Sequence, residues 1–335
     1  MTSTTARQAP LPAATTLDAR TGLPIALVSA AAFGLSGSLA SPLLSTGWSP
    51  AAVVAIRVGG ACLVLLLPCL LLLRRIGLPS LRATRRMIAY GIVAVAGAQL
   101  CYFSAVQHLS VGVALLLEYS APVLLIGWLW LRRGDRPSAA KLVGAALAVA
   151  GLILVLDLTG GVRISLVGVA WGLGAAVCLC AYFVLSEHTD AAPPALVLTT
   201  VGTGVGALVL VLAGLVGVLP LAGSSLPVVF AGHAMPWWVP LAALALVSAA
   251  LAYVTGIEAV RRLGSSVASF VALTEVVLAV IFAALLLAQI PTPIQLLGGL
   301  LILVGIAVVQ TPTGSLRTVV HSVYDRTHAR RLLRR

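Results

Sequence analysis

The pattern that most constrains this chain is a succession of apolar stretches, each near twenty residues, with arginines gathered at alternate junctions. A helix needs about 20 apolar residues to cross a bilayer. Lipid offers the backbone no hydrogen bonds, so only helices and closed barrels span it. The spacing predicts ten helices, near 23–45, 50–73, 86–107, 111–131, 137–157, 164–187, 194–218, 237–260, 264–287 and 291–310. The connections are short except 219–236, which is rich in Pro, Gly and Ser. Composition agrees: 60% of the 335 residues are hydrophobic and 9% charged, against about 25% charged in soluble domains. The expected fold class is all-α integral membrane, with ten transmembrane helices.

The net charge of +12 invites a nucleic-acid partner, but its placement argues against one. The charges sit at the ends of apolar runs, where topology signals belong, and no basic domain is left to hold a duplex. With the N-terminus on the cytoplasmic side, every Lys and Arg except two falls on cytoplasmic segments. The exceptions are Arg163, in an outer connection, and Arg57, inside a span. Both termini are therefore expected in the cytoplasm, in a multi-pass protein of the cell (inner) membrane. Residues 1–22, rich in Thr, Ala and Pro, read as a disordered tail. They are not a signal peptide, because the next apolar segment is span-length and more follow. Residues 311–335 read as a basic tail.

The two halves repeat. SAVQHLSVGVA at 104–114 matches EAVRRLGSSVA at 258–268, an offset of 154. The same offset pairs Pro137 with Pro291, Leu142 with Leu296, Gly144 with Gly298, Leu147 with Leu301 and Gly151 with Gly305. Earlier, AFG at 32–34 pairs with AWG at 170–172 at an offset of 138, and the extra length lies in 219–236. An ungapped match this long marks an internal repeat. The units are 23–157 and 164–310, with five spans each. An odd number of spans inverts the second unit relative to the first. Inverted repeats build alternating-access carriers, whose site lies near the midplane between the repeats.

These features resemble the drug/metabolite transporter superfamily, in its ten-helix carriers built from two EamA repeats. The resemblance rests on the aromatic–Gly starts Phe33-Gly34 and Trp171-Gly172, and on Pro50 followed by Arg57. It rests also on the A-x-x-x-L-S/G-x-x-x-A loops and the P-x-x-x-x-LxG openings of the fifth and tenth spans, and covers about 23–310. EYSAP at 118–122 is similar to the glutamate–aromatic–x–x–proline element of the threonine/homoserine exporter group. The second half departs from the family pattern: Val276, not proline, follows Glu275. The resemblance implies a solute pathway through the third, fourth, sixth and eighth spans.

Two acids lie within spans, Glu118 and Glu275. A charge at the bilayer centre costs about 2.5–3.5 kcal/mol by insertion scales, so such residues are functional or paired. Glu118 is expected either to bind a substrate amine or proton, or to form an ion pair with Arg57, whose depth matches. Pro122 has no N–H to give the Glu118 carbonyl, so a hinge is expected there. Glu275 has no cation at its depth in its own half, and is expected to exchange protons. Its bland alternative is a hydrogen bond to Thr274, Ser248 or a water. Arg57 is expected to tie its span to a carboxylate or to carbonyls; the alternative is a bidentate grip on a substrate carboxylate. Offset 154 pairs Glu275 with Ala121, so the acids are near-equivalents three positions apart.

Tyr102, Phe103, Tyr119, Trp171, Tyr182 and Tyr253 are candidates to line a cavity, packing being the alternative. Glu258 reads as a local helix-end partner of Arg261 and Arg262. Gly34-Leu35-Ser36-Gly37 has the form of an intramembrane serine protease motif, but no span holds a His to activate the serine. No catalytic residue is therefore expected. The five cysteines lie in apolar runs, without metal-ligand spacing, so neither metal nor cofactor is expected. The expected partners are a small-molecule substrate and the bilayer, with monomer or homodimer left open. The sequence points to a secondary carrier exporting amino acids or other small polar metabolites by alternating access, with proton coupling left open. Alternatives are an uptake or exchange carrier for another metabolite or drug, an intramembrane enzyme, and a non-transporting membrane subunit.

Overall fold

The computed structural model describes residues 16–106, 108, 111–134, 137–155, 165–187, 192–288 and 290–310. The expected basic tail at 311–335, residues 1–15 and Arg163 lie outside these residues.

The chain is predominantly helical. In order come α1 (Thr16–Ser45), α2 (Pro50–Ile76), α3 (Leu81–Ala89), a π-helical segment (Tyr90–Gly97) and α4 (Ala98–Val106). Then follow α5 (Val111–Glu118), α6 (Ala121–Arg133), α7 (Ala139–Val155), α8 (Leu166–Ser186) and α9 (Ala195–Leu215). A small hairpin, β1 (Val228–Phe230) and β2 (His233–Met235), precedes α10 (Trp238–Ala245), a second π segment (Leu246–Leu251) and α11 (Ala252–Leu263). The last helices are α12 (Ser265–Ala272), α13 (Thr274–Leu287) and α14 (Pro293–Gln310). Starts follow local chemistry. The Oγ of Ser49, Ser80 and Ser165 accept from the N–H of Ala52, Ala83 and Gly168, at the heads of α2, α3 and α8.

Among the described residues, six helical runs are long and apolar enough to cross a membrane: 21–45, 50–76, 166–186, 195–215, 238–263 and 265–287. Residues 121–132, 139–154 and 293–309 form shorter apolar helices. Leu63, Leu67, Leu131, Leu166 and Leu285 are all exposed, as suits a surface facing hydrocarbon. Helix α1 begins earlier than the expected tail boundary at 22. Its Gly22 lies so close to α11 that a Cβ would fall 2.8 Å from Leu263 Cδ2, and this contact anchors the helix start.

Interruptions recur at the repeat spacing. Helix α5 gives way to α6 at Tyr119-Ser120, and α12 to α13 at Leu273; Tyr119 and Leu273 are 154 apart. At both breaks the ladder tightens to three-residue bonds: Ser120 N–H to Leu117 O at 3.1 Å, and Val276 N–H to Leu273 O at 3.2 Å. Residues 92–97 of the first π segment map onto Leu246–Leu251, the whole of the second. Pro122 opens α6, whereas its counterpart Val276 keeps its N–H. Proline therefore assists one break and is not needed for the other.

Helices α7 and α14 cross through glycine. A Cβ on Gly144 would lie 2.6 Å from Gly305 O, and one on Gly151 would lie 2.6 Å from Gly298 O. Low number meets high, so the helices run antiparallel. Because Gly144 corresponds to Gly298 and Gly151 to Gly305, the two helices present the same residues to each other. That is the geometry of a two-fold contact. Small residues permit such close approach in lipid, where packing drives association. The Gly202/Gly206 face of α9 packs likewise on Tyr90 and Val95.

The connection at 219–236 carries a short hairpin. Ala231 and Gly232 both have positive φ, 45° and 85°, the backbone that a two-residue hairpin turn requires. The hairpin buries Val228 and Phe230 against Leu43, Trp48, Leu241 and Leu244. Ser49 Oγ donates to Pro220 O at 2.7 Å and accepts from Ala222 N–H at 3.0 Å. These contacts define one end of the bundle, the hairpin end. The other end holds the start of α1, the junction of α11 with α12, Arg86, Arg261 and Arg262, and is the basic end.

Candidate substrate cavity

A cavity of about 810 Å³ lies among α1, α2, α4, α5, α8, α11, α12 and α13. Small-molecule sites commonly measure about 300–1,000 Å³. Its walls change character along its depth. Toward the hairpin end, Gly37, Ser41, Leu44 and Pro50 line it and are exposed. Toward the basic end, Ala30, Ala259, Val260 and Ser269 line it and are at most 2% exposed. The cavity is thus open at the hairpin end and closed at the basic end.

Arg57, Glu118 and Glu275 all line this one space, as do Tyr102, Tyr119, Tyr253 and Pro122. Each acid sits at a helix break: Glu118 closes α5, and Glu275 lies in the first turn of α13. Helix interruptions of this kind place chain ends and side chains at the midplane of carriers. The polar neighbours of Glu275 are the Tyr119 hydroxyl and the Arg57 guanidinium.

The ion pair of Arg57 with Glu118, one of the two alternatives for that acid, is not formed among the described residues. Arg57 donates from Nη2 to the Ser248 carbonyl at 2.6 Å, a group on the second π segment. Its guanidinium stands 5.7 Å from the Phe33 ring centre. No carboxylate lies within salt-bridge reach of it among the described residues. The cause is Phe33-Gly34. Phe33 carries Arg57, while Gly34 lets α1 approach α13 so closely that a Cβ would lie 3.0 Å from Glu275 O. The bland partners of Glu275 are also occupied or turned away. Thr274 Oγ1 donates to Val271 O at 2.7 Å, and Ser248 Oγ is buried without a hydrogen-bond partner.

Trp171 does not line the cavity. It is 42% exposed on the outer face of α8, because its neighbour Gly172 takes the inward position, tight against Leu117. Tyr182 lines the wall instead, stacked edge-on to Tyr253, which in turn packs edge-on to Phe33. The Phe103 side chain lies outside the described residues. Gln99 also lines the cavity and was not singled out from the sequence. A lone amide inside an apolar run was the available signal. Glu258 pairs with Arg262 at 2.7 Å, as helix spacing suggested, but Arg261 turns elsewhere. Among the described residues no group of acids, His and Cys could hold a metal.

A bundle of span-length helices around a cavity that holds charged groups and opens at one end is the form of a membrane carrier. The chain belongs to the EamA-like transporter family, which it matches over residues 20–157 and again over 166–311. It is similar to the threonine/homoserine exporter RhtA of Escherichia coli K12, at 30% identity over 216 residues. That match covers 63% of this chain and 66% of the exporter, just under two thirds of its length. The same figures hold for RhtA of Escherichia coli O6:H1 and O157:H7. A crystal structure of a protein 18% identical superposes with a TM-score of 0.70, covering 87% of this chain and 97% of the other. The two share a fold. The family is one of transporters rather than enzymes, and this chain is a multi-pass membrane protein.

Proposed function

We propose that the protein is a secondary carrier of the inner membrane that exports amino acids or other small polar metabolites by alternating access. The observation that carries this reading is the meeting of Glu118, Glu275 and Arg57 in one cavity, beside two helix breaks 154 residues apart. In this reading Arg57 grips a substrate carboxylate, and the acids take its ammonium group or exchange protons. The name of the similar exporter supports an amino-acid substrate. The chain crosses the membrane ten times as two inverted five-helix units, with both termini in the cytoplasm. The glycine crossing of α7 and α14 supports the inversion, since equivalent helices meet there antiparallel. Rocking of one unit against the other about the breaks would expose the cavity to each side in turn.

The test is flux in proteoliposomes across a panel of amino acids, with and without an imposed pH gradient. Glu275→Gln and Glu118→Gln keep shape and remove charge. Each is expected to abolish flux or its dependence on the gradient, while the protein stays folded. Normal flux with normal pH dependence in both variants would remove the acids from the mechanism.

A further inference from the structure

Resting on the carrier reading above, we propose that the closed, basic end of the cavity is the substrate's second doorway, and that the Glu187 side chain is its latch. The last turn of α8 is clasped there by side chains from three other helices. Arg86 of α3 donates to Leu185 O at 2.8 Å and to Glu187 O at 2.6 Å. Arg261 of α11 donates to Ser186 O at 3.4 Å and to Pro193 O just beyond. Glu187 reaches across to α12, where its Oε1 accepts from the Ser265 hydroxyl and, at 3.4 Å, from the Ser265 N–H. One carboxylate therefore pins the end of α8 to the start of α12, the helix that leads to the second break and Glu275.

Two observations distinguish this clasp from ordinary helix capping. The first is a comparison within the molecule. The corresponding helix of the first half, α1, ends at the open side, and its carbonyls are served by its own turn. Thr46 N–H and Oγ1 bond Leu43 O at 3.1 and 2.8 Å, and Ser45 Oγ bonds Pro42 O at 2.8 Å. The last turn of α1 is tied within itself, whereas the last turn of α8 is held by arginines from α3 and α11. The second is a pair of hydroxyls behind the latch. Tyr90 Oη and Ser186 Oγ are buried as each other's polar neighbour, and both residues are fully inaccessible. Tyr90 packs on Tyr182, a cavity wall, with ring centres 5.9 Å apart. Parting of α8 from α12 would open this buried pair to water.

The doorway can be tested without any substrate. The protein carrying Ser186→Cys, with the native cysteines replaced by alanine, is placed in lipid nanodiscs, where both faces meet solvent. Labelling of the new thiol by a bulky charged maleimide is then timed. With the latch intact, labelling should be slow. With Glu187→Gln or, separately, Ser265→Ala, it should speed up at least tenfold. Two latch variants are used so that one misfolded protein, detected by gel filtration, leaves the other to decide. Equal rates with and without the latch would overturn the proposal. So would rapid labelling in the intact protein. Because no transport is measured, loss of the latch reading and loss of the carrier reading are told apart.

Discussion

Arg57 takes its meaning from where its guanidinium is held rather than from its depth. One hydrogen bond to the Ser248 carbonyl and the face of Phe33 turn it toward Glu275. Its Nε is buried without a hydrogen-bond partner, so that N–H is still available, with those of the Nη atoms, to an arriving carboxylate. Arg57→Lys keeps the charge but loses the planar fork that meets a carboxylate with two bonds. This variant is expected to raise KM about tenfold, equivalent to about 1.4 kcal/mol, with kcat changed less. An unchanged KM in proteoliposome flux would remove Arg57 from substrate contact. The sequence identified which residues are charged inside spans. Which of them meet was not legible, because position along a helix gives depth and says little about azimuth. Glu118 and Arg57 share a depth and face different neighbours. Trp171 illustrates the same limit: the aromatic–Gly motif sends the aromatic inward in the first half and the glycine inward in the second.

At the scale of elements, the helix breaks carry the argument. The break after Glu118 has a proline and the break before Glu275 has none, yet they fall at equivalent positions. Pro122→Ala is therefore expected to leave the break in place, shifting the thermal midpoint only slightly and reducing flux far less than Glu275→Gln. A collapse of flux with Pro122→Ala would make the proline the hinge itself. The breaks were half legible: EYSAP announced the first through its proline, and nothing in SFVALTEVV announced the second. The π segments left no mark in the sequence, because a five-residue bonding pattern needs no special residue. The hairpin was hidden for another reason. Its Ala231-Gly232 turn holds only one glycine, and its strands, three residues each, are too short for alternation to show.

For the whole molecule, the crossing of α7 and α14 offers a measurement of the internal two-fold. Gly151→Ala and Gly305→Ala each force a methyl to within about 2.7 Å of a backbone carbonyl on the facing helix. Overpacking of this kind costs about 1–3 kcal/mol. Because the two sites correspond, their losses in thermal stability should be alike. Unequal losses in detergent-solubilised protein would show that the correspondence does not extend to packing energies. The repeat itself was plain in the sequence, since glycines and prolines at a constant offset survive where other residues drift. The helix order and the two-fold crossing follow from it.

The hairpin has a thermodynamic consequence. Two identical inverted halves would make the form open at one end and the form open at the other degenerate in free energy, each half populated at rest. The hairpin is present in one half only, and it buries Val228 and Phe230 beside Trp48 and Trp237 at the open mouth. The degeneracy is thereby lifted. Any difference of about 1.4 kcal/mol in how the hairpin packs in the two forms skews their populations tenfold. Under the alternating access proposed above, a carrier skewed in this way would wait for its cargo mostly on one side of the membrane, and a surface hairpin would set which side that is.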